Sequence, residues 1–326
     1  MNGRERVHAV LSGGRPDTTP IGFWRHFPGA EDAAVKLADE TVGFAKRVGA
    51  ELVKITPDGA YATADCGAVI QRRGGDVGTS DVVDSPVKSL DDLVQLPTLD
   101  PTSGRLAQEL ETVTLVREGC GEGVAILETV FSPLTVLMKL LGARVPPDWL
   151  VDCPPVNAAL RRIGEAMAVF AAKSVQLGAD GVFLACQQGS RGWVENGTYA
   201  RWGVPHDREV IAAVRSAGGL VVLHLHGADP ALELATAYGV DGVSWEGSTS
   251  GASIREGRER TTVPIVGGLA RRGALVRSDR EALEREVVTA LRECGAPQCV
   301  IAPECVLPDA IDEENLRVVG RLVHEQ

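Results

Sequence analysis

Long apolar runs and an excess of positive charge are both missing from this chain of 326 residues. No apolar segment approaches the ~18 residues that span a bilayer, and the amino-terminal segment lacks the apolar core of a signal peptide. Lys and Arg number 33 against 44 Asp and Glu, and the net charge of -11 argues against nucleic acid or an anionic membrane as the main partner. The sequence therefore predicts a cytoplasmic protein whose partner is a small-molecule substrate.

The chain also lacks paired cysteines and nucleotide-binding motifs. Its seven cysteines, an odd number, are scattered without a CxxC pair, which is the cysteine usage of a reducing compartment. Neither a dinucleotide fingerprint nor a P-loop is present, so nucleotide cofactors have no support. Internal repeats and low-complexity segments are absent too. What remains is a globular chain that is long enough to bury a large core.

Eight short apolar segments are present, and most of them are separated by a helical stretch. They are residues 20–25, 52–56, 124–130, 181–186, 220–226, 242–246, 264–269 and 300–305. Their interiors, such as Val-Ala-Ile-Leu, are near-continuous apolar runs, which are typical of parallel strands covered on both faces. Eight such units predict an α/β fold of the (β/α)8 TIM-barrel type, formed by a single domain over residues 1–326.

Helical patterns fill most of the gaps between these segments. Residues 155–177 form a long amphipathic stretch that ends before a glycine. Ser278 and Glu281 have the spacing of a capping box, and Asp312 is placed to begin the last helix. These signals predict helices on the outside of the barrel.

One stretch, around residues 71–104, interrupts the alternation. It is polar and rich in glycine and proline, and Ser89 has the position of a short-helix cap. We expect this stretch to be an excursion from the barrel, formed by a hairpin and a helix, and not a second domain.

Active sites of parallel barrels lie at the carboxyl ends of the strands. In this chain almost every predicted strand ends in side chains that can bind metal, ionise or form hydrogen bonds. They are Arg25, His26, Asp58, Glu128, Cys186, Gln187, Gln188, His224, His226, Trp245, Glu246, Glu304 and Cys305. A buried polar group without a partner costs about 1–3 kcal/mol, so a purely structural barrel would need fewer of them. The set as a whole indicates an active site.

The stretch Val-Val-Leu-His-Leu-His-Gly holds two imidazoles, His224 and His226, at one strand end. Side chains two residues apart on a strand point the same way, so the two rings converge. Cys305 is the third candidate ligand, since two nitrogens and one thiolate leave a fourth position open on zinc. Glu246 or Glu304 is the alternative third ligand and would suit iron or manganese. The structural alternative is that each histidine only forms hydrogen bonds in a polar loop.

Other charged residues have competing interpretations. Arg25 is flanked by aromatic residues and is a candidate fork for a substrate carboxylate; the alternative is a buried ion pair with Asp58. Lys54 and Lys139 are expected to be paired or exposed. Residues 267–273, Gly-Gly-Leu-Ala-Arg-Arg-Gly, stand where such barrels often hold a phosphate, although a plain turn explains the same pattern.

Three motifs carry a resemblance: residues 224–227 (His-Leu-His-Gly), 267–269 (Gly-Gly-Leu) and 302–308 (Ala-Pro-Glu-Cys-Val-Leu-Pro). With them the chain resembles the superfamily of uroporphyrinogen decarboxylase and the cobalamin-linked, zinc-dependent methyltransferases of methanogens. In the methyltransferase branch, the corresponding strand ends carry His-x-Cys and a later Cys as zinc ligands. His224 and Cys305 match this pattern, whereas His226 stands where the first cysteine would be.

The decarboxylase branch is matched less well. Its early Arg-Gln-Ala-Gly-Arg motif and an Asp bind the porphyrinogen, and Arg25 and Asp58 match two of those positions. The second Arg of the motif is missing after Pro28-Gly29. The resemblance therefore favours the branch that uses a metal.

The leading hypothesis is a metal-dependent methyltransferase or demethylase that acts on a small-molecule methyl donor or acceptor. Zinc or another divalent transition metal would be bound by His224, His226 and Cys305. The predicted catalytic residues are Arg25, His26, Asp58 and Glu128, of which Arg25 and His26 hold a substrate carboxylate. The predicted substrate-binding residues are Trp24, Arg25, Gln187, Trp245 and Glu246.

The resemblance implies a corrinoid as a candidate methyl donor, a corrinoid protein as a candidate partner, and a homodimer, since relatives often pair through a barrel face. Three alternatives stay open. One is a metal-independent decarboxylase of the uroporphyrinogen decarboxylase type. The second is a lyase or oxidative enzyme that uses the same metal. The third is a protein that binds a corrinoid or a metabolite without turnover.

Overall fold

Parallel strands with helices between them dominate the computed structural model, which describes residues 1–72, 75–142, 153–195, 197–277 and 279–325. The strands of this described part are β1 (Gly22–Phe23), β2 (Leu52–Ile55), β3 (Val69–Arg72), β4 (Ser80–Asp84), β5 (Ala125–Phe131), β6 (Gly181–Cys186), β7 (Leu220–Leu225), β8 (Gly242–Trp245), β9 (Val266–Leu269) and β10 (Val300–Pro303). The helices are α1 (Gly3–Leu11), α2 (Ala34–Val48), α3 (Tyr61–Ala64), α4 (Leu90–Gln95), α5 (Gly104–Cys120), α6 (Pro133–Leu141), α7 (Pro154–Gln176), α8 (Arg191–Glu195), α9 (Thr198–Trp202), α10 (Val204–Ser216), α11 (Glu233–Tyr238), α12 (Ile254–Arg260), α13 (Ala274–Arg277), α14 (Arg280–Cys294) and α15 (Glu313–His324).

Eight of these strands close into a ring. Six pair in the order β1-β2-β5-β6-β7-β8, and β9 pairs with β10, all in parallel. Single bridges complete the circle, with Val243 against Ile265 and Ile21 against Ile301. The predicted TIM barrel is confirmed, and each of the eight predicted segments coincides with one barrel strand to within a few residues. The first is shorter than predicted, because only Gly22–Phe23 pairs continuously with β2.

Alternate side chains of the strands divide into two cores. Leu127, Phe183 and Val222 belong to a cluster inside the barrel, whereas their neighbours Ile126 and Val182 pack against the surrounding helices. Buried residues of α1 (Val7, Val10 and Leu11) belong to the interior cluster and so close the amino-terminal end of the barrel. The opposite end, where the strands finish, is left for the cavity described below. Within the described residues, no helix is both long enough and apolar enough to cross a membrane.

The predicted excursion is also present. β3 and β4 form an antiparallel hairpin, and Ser89 caps α4 in a capping box with Asp92. The hairpin leaves the barrel after β2 and lies over its carboxyl-terminal end, where Val77, Thr79 and Ser80 reach the cavity. Elsewhere, Asp312 caps α15 as expected. Ser278, the first residue of the other predicted capping box, lies outside the described residues, and Asp279 caps α14.

A buried carboxylate, Asp180, ties the amino-terminal end of the barrel together. Its side chain is 1% exposed and accepts hydrogen bonds from Arg4 Nε at 2.6 Å, Arg117 at 2.7 Å and the backbone N–H of Ile126 at 2.7 Å. His8 Nε2 lies at 2.7 Å from the same carboxylate. Burial acts to raise the pKa of Asp180, but these hydrogen bonds and charges outweigh it and hold the pKa below its usual value.

We expect Asp180→Asn to lower the free energy of unfolding by about 3 kcal/mol, because it leaves the partly buried Arg4 and Arg117 without their carboxylate. Since the pKa of Asp180 is lowered in the folded state, its contribution is complete above about pH 5 and is lost as the pH falls below about 4. Urea denaturation of both proteins between pH 3 and pH 7 measures the difference. Glu118→Gln on the exposed face of α5 is the control and should change little. A difference between Asp180→Asn and the wild type that does not depend on pH would contradict the assignment.

Candidate functional site

A cavity of about 390 Å³ occupies the carboxyl-terminal end of the barrel. Its walls come from inward-facing residues at the ends of the strands and from the hairpin formed by β3 and β4. This volume is near the lower end of the range for small-molecule pockets, roughly 300–1,000 Å³. The cavity is therefore sized for a small metabolite.

The three predicted metal ligands meet at one side of this cavity. His224 lies on β7, His226 directly follows it, and Cys305 follows β10. One ligand atom from each residue lies within 4.8 Å of the other two, and the sulfur of Cys305 is 3.9 Å from Nδ1 of His226. The two imidazole centroids are 5.9 Å apart. The predicted convergence of the three side chains is thus present in the structure.

Neighbouring side chains fix the orientation of His224. Its Nδ1 lies 3.2 Å from the hydroxyl of Ser244, which is the residue paired with it on β8. Its ring also stacks on Phe183, with centroids 5.0 Å apart. The contact with Ser244 leaves Nε2 available as a ligand atom. Outer hydrogen bonds of this kind set the tautomer and ring orientation of metal-binding histidines.

Charges around Cys305 favour its thiolate. Burial alone would raise the pKa of this thiol, but the hydrogen bond with His224 and the positive charge of Arg271 outweigh it and lower the pKa. Arg271 lines the cavity, and its Nε donates a hydrogen bond to Glu246 at 2.8 Å. Burial lowers the pKa of both His224 and His226, which keeps the imidazoles neutral. Neutral imidazoles and a thiolate are the forms that bind metal.

The alternative carboxylate ligands have other partners. Glu246 is paired with Arg271, and Glu304 accepts a hydrogen bond from the backbone N–H of Ser248 at 2.9 Å. Among the described residues, the only group of three or more His, Cys, Asp or Glu with ligand spacing is His224, His226 and Cys305. The geometry therefore favours the nitrogen and sulfur set over the harder oxygen set.

Other predicted site residues line the same cavity. Trp24, His26 and Gln187 all face it, and Trp24 packs on Phe183 with ring centroids 5.6 Å apart. The imidazole of His26 is held by Glu31, with Nδ1 at 2.9 Å from the carboxylate. Asp58 does not itself line the cavity, although its neighbours Pro57 and Gly59 do; it is 8% exposed, and its carboxylate accepts a hydrogen bond from the backbone N–H of Ala60.

Two predicted site residues, Arg25 and Trp245, lie away from the cavity. Arg25 lines a separate surface groove, where its guanidinium donates a hydrogen bond to the carbonyl of Asp309 and lies over the ring of Phe27. The alternative interpretation, an ion pair between Arg25 and Asp58, is not present either. Trp245 is fully buried against the helices and donates to the carbonyl of Ala252. Neither side chain can contact a molecule in the cavity, so the prediction that Arg25 and Trp245 bind the substrate there is wrong.

Glu128 faces the helices too, because its neighbour Thr129 is the residue of β5 that points into the cavity. Its carboxyl group is fully buried, and neither oxygen has a hydrogen-bond partner among the described residues. Burial, with a smaller effect of Glu109, raises its pKa well above the usual value, which favours the neutral form of the carboxyl group. The predicted exchange of protons with substrate has no route from this position.

Two lysines that we expected to be paired or exposed instead line the cavity. Lys54 is 6% exposed, and its ammonium donates to Thr56 Oγ1 at 3.2 Å. Burial lowers the pKa of Lys54 to about 8, although Cys305 and Glu128 act in the opposite direction. Lys139 on α6 reaches the cavity beside Phe131. A signal for Lys54 exists in the sequence, since a lysine within Leu-Val-Lys-Ile interrupts an otherwise apolar strand.

Comparisons with known proteins agree with this architecture. A methyltransferase from Methanosarcina mazei matches 100% of this chain and 99% of its own, with a TM-score of 0.86 and 21% identity. A protein assigned as a vitamin-B12-independent methionine synthase from Listeria monocytogenes matches 95% of this chain and 99% of its own, with a TM-score of 0.56 and 15% identity. At these identities the similarity shows a shared fold. A search of curated proteins by sequence gives no significant match.

A family model provides the more specific result. The model described as "Uroporphyrinogen decarboxylase (URO-D)" matches residues 3–326. The match includes every barrel strand as well as His224, His226 and Cys305. The chain belongs to the uroporphyrinogen decarboxylase family.

Proposed function

We propose that this protein is a metal-dependent methyltransferase or demethylase that acts on a small molecule, with zinc bound by His224, His226 and Cys305. The observation that carries the proposal is the meeting of these three side chains, from two strands that are far apart in sequence, at the wall of the cavity. The enzyme family and the similarity in fold to a methyltransferase support it.

The residues fit a zinc ion. Ligand atoms of tetrahedral zinc with nitrogen and sulfur ligands lie about 3.3–3.6 Å apart. Here the separation is 3.9 Å between Cys305 and His226, and no pair exceeds 4.8 Å. Small side-chain rotations would close this difference. Three protein ligands also leave a fourth position open toward the cavity, which is the arrangement of catalytic sites and not of structural ones.

Bound zinc would supply a Lewis acid that favours the anionic form of a thiol or similar acceptor at neutral pH. The acceptor's electron pair forms the new bond to the methyl carbon, while the old bond breaks and its electron pair stays with the donor. Trp24 and Phe183 provide an apolar wall that excludes water from this region. His26, which Glu31 holds in place, and Gln187 offer polar contacts that orient the substrate.

For the methyl donor we propose a corrinoid, delivered by a corrinoid protein, or a small methylated compound. The cavity itself is small, so a corrinoid would present its methyl group at the mouth and not enter. The assay is loss of methyl groups from methylcobalamin in the presence of a panel of small thiols. Turnover that requires zinc and disappears in Cys305→Ser supports the proposal.

A decarboxylase is the second candidate, and the cationic residues that line the cavity favour it. Against it, Arg25 lies outside the cavity, and about 390 Å³ is little room for a tetrapyrrole with eight carboxylates. The test is incubation with uroporphyrinogen with and without a chelator. Release of carbon dioxide that a chelator does not affect would replace the methyltransferase proposal.

We expect the protein, purified without chelator or affinity metal, to contain close to one zinc per chain by elemental analysis. Cys305→Ser and His226→Ala should each lose most of it, because each removes one of three ligands. Cys120→Ser, a thiol on α5 away from the cavity, is the matched control and should keep its zinc. A wild-type protein without metal, or a His226→Ala variant that retains it, would end the proposal.

Ser244→Ala should weaken zinc binding about 10-fold to 100-fold, because it removes the hydrogen bond that orients His224. Competition with a chromophoric chelator measures the affinity. Ser174→Ala removes another buried serine hydroxyl, which bonds the carbonyl of Phe170 on α7, and should leave zinc affinity unchanged. Equal affinities in the wild type and Ser244→Ala would show that the contact does not orient the ligand.

A further inference from the structure

The cavity is lined by more cationic side chains than carboxylates, although the chain as a whole is acidic. The chain carries a net charge of -11, yet three cationic side chains (Lys54, Lys139 and Arg271) line this one cavity. Asp81, on the hairpin, is the one carboxylate among the described residues that line it. A cavity with this balance attracts anions against the field of the protein as a whole.

Arg271 already has a counter-charge within the protein. Its guanidinium is paired with Glu246, with Nε 2.8 Å from the carboxylate. The pair therefore adds little net charge to the cavity. The two lysines differ from it in this respect.

Neither lysine has a carboxylate partner. Among the described residues, no carboxylate oxygen lies within 4.0 Å of either ammonium group, whereas the partly buried Arg105, Arg117 and Arg271 each have a carboxylate partner. Lys54 donates only to the Thr56 hydroxyl and lies 5.1 Å from the Phe183 centroid. Lys139 lies 5.2 Å from the Phe131 centroid.

Lys54 is buried, and burial of a cation without a paired carboxylate is costly. Lys139 is half-buried; burial lowers its pKa, and the charges of Asp81 and Asp58 oppose this from more than 4.0 Å away. A carboxylate supplied by a ligand would offset the cost at both positions.

The two lysines stand at different depths. Lys54 is on β2 beside Phe183, whose ring stacks on His224, so it lies near the proposed metal ligands. Lys139 is next to Phe131, the last residue of β5, and so lies nearer the mouth. Phe183, beside Lys54, pairs with Thr129 of β5. Phe131, beside Lys139, lies two residues beyond Thr129 and therefore closer to the mouth of the barrel.

We propose that Lys54 and Lys139 bind a carboxylate of the substrate. This inference rests on the proposed function for the identity of the reacting end, and it assigns the substrate to a class: a small carboxylic acid that also carries a thiol or another methyl acceptor. A zinc ion with one thiolate ligand keeps a positive charge, so the loaded site needs an anion more than the metal-free one. The carboxylate accepts hydrogen bonds from the two ammonium groups and offsets one of their two positive charges, while the acceptor atom faces His224, His226 and Cys305.

The test compares binding of 3-mercaptopropionate with its neutral analogue 3-mercaptopropan-1-ol by titration calorimetry on zinc-loaded protein. We expect the wild type to bind the carboxylate at least 10-fold more tightly. Lys54→Met and Lys139→Met, which keep side-chain length and remove charge, should each reduce this preference at least 5-fold. Lys46→Met, an exposed lysine on α2, is the matched control and should keep the full preference.

Folding and metal content are measured on the same samples. Lys54→Met should melt at or above the temperature of the wild type, since methionine removes a buried charge. If Lys54→Met does not fold, Lys139→Met serves as the second variant.

Two results would overturn the inference and leave the proposed function intact: a zinc-loaded wild type without a preference for the carboxylate, or lysine variants that keep this preference. A wild type without zinc that still prefers the carboxylate supports the inference and contradicts the proposed function. Displacement of 3-mercaptopropionate by inorganic phosphate at a lower concentration than by propionate would overturn the carboxylate class.

Discussion

Alternation of side chains along the strands of a closed barrel is the constraint on which the rest of this structure depends. Every second residue must point into one shared interior, which has room for only a few layers of side chains. The lower layers are apolar and are closed by α1. The last layer holds His224, Lys54 and Thr129, so polar groups from distant parts of the chain are brought together without a dedicated binding loop.

The same constraint explains what the sequence could and could not predict. Strands and their order follow from apolar runs and intervening helices, and all eight were found. Successive side chains of a strand point to opposite faces, so an error of one residue in a predicted strand assigns each side chain to the wrong face. Strand ends are predicted with an error of about one or two residues. Glu128 and Trp245 were placed on the wrong face for this reason, since their neighbours Thr129 and Ser244 point inward. His224 and His226 were more secure, because a pair two residues apart keeps its common direction.

The residues missed from the sequence were missed for a different reason. Lys54 and Lys139 belong to a residue type that is almost always exposed or paired, and neither lies at a strand end. Only the closed barrel and the position of α6 show that their ammonium groups reach the cavity. For Arg25 the error is the reverse: it was predicted to lie in the site, and it lies outside the cavity. Flanking aromatic residues suggested a pocket wall, but Phe27 and Phe44 stack with its guanidinium in a surface groove outside the barrel.

Buried charges have different surroundings at the two ends of the barrel. At the amino-terminal end, Asp180 is surrounded by donors and is fully satisfied, so its charge stabilises the fold. At the carboxyl-terminal end, Lys54 has a single hydroxyl partner, although the protein places a carboxylate beside Arg271, which lines the same cavity. A chain that gives one cation of the cavity a carboxylate partner and leaves the next without one is organised around an anion from outside. Stability is concentrated at one end of the barrel, and this allows the other end to keep groups whose partner is the substrate.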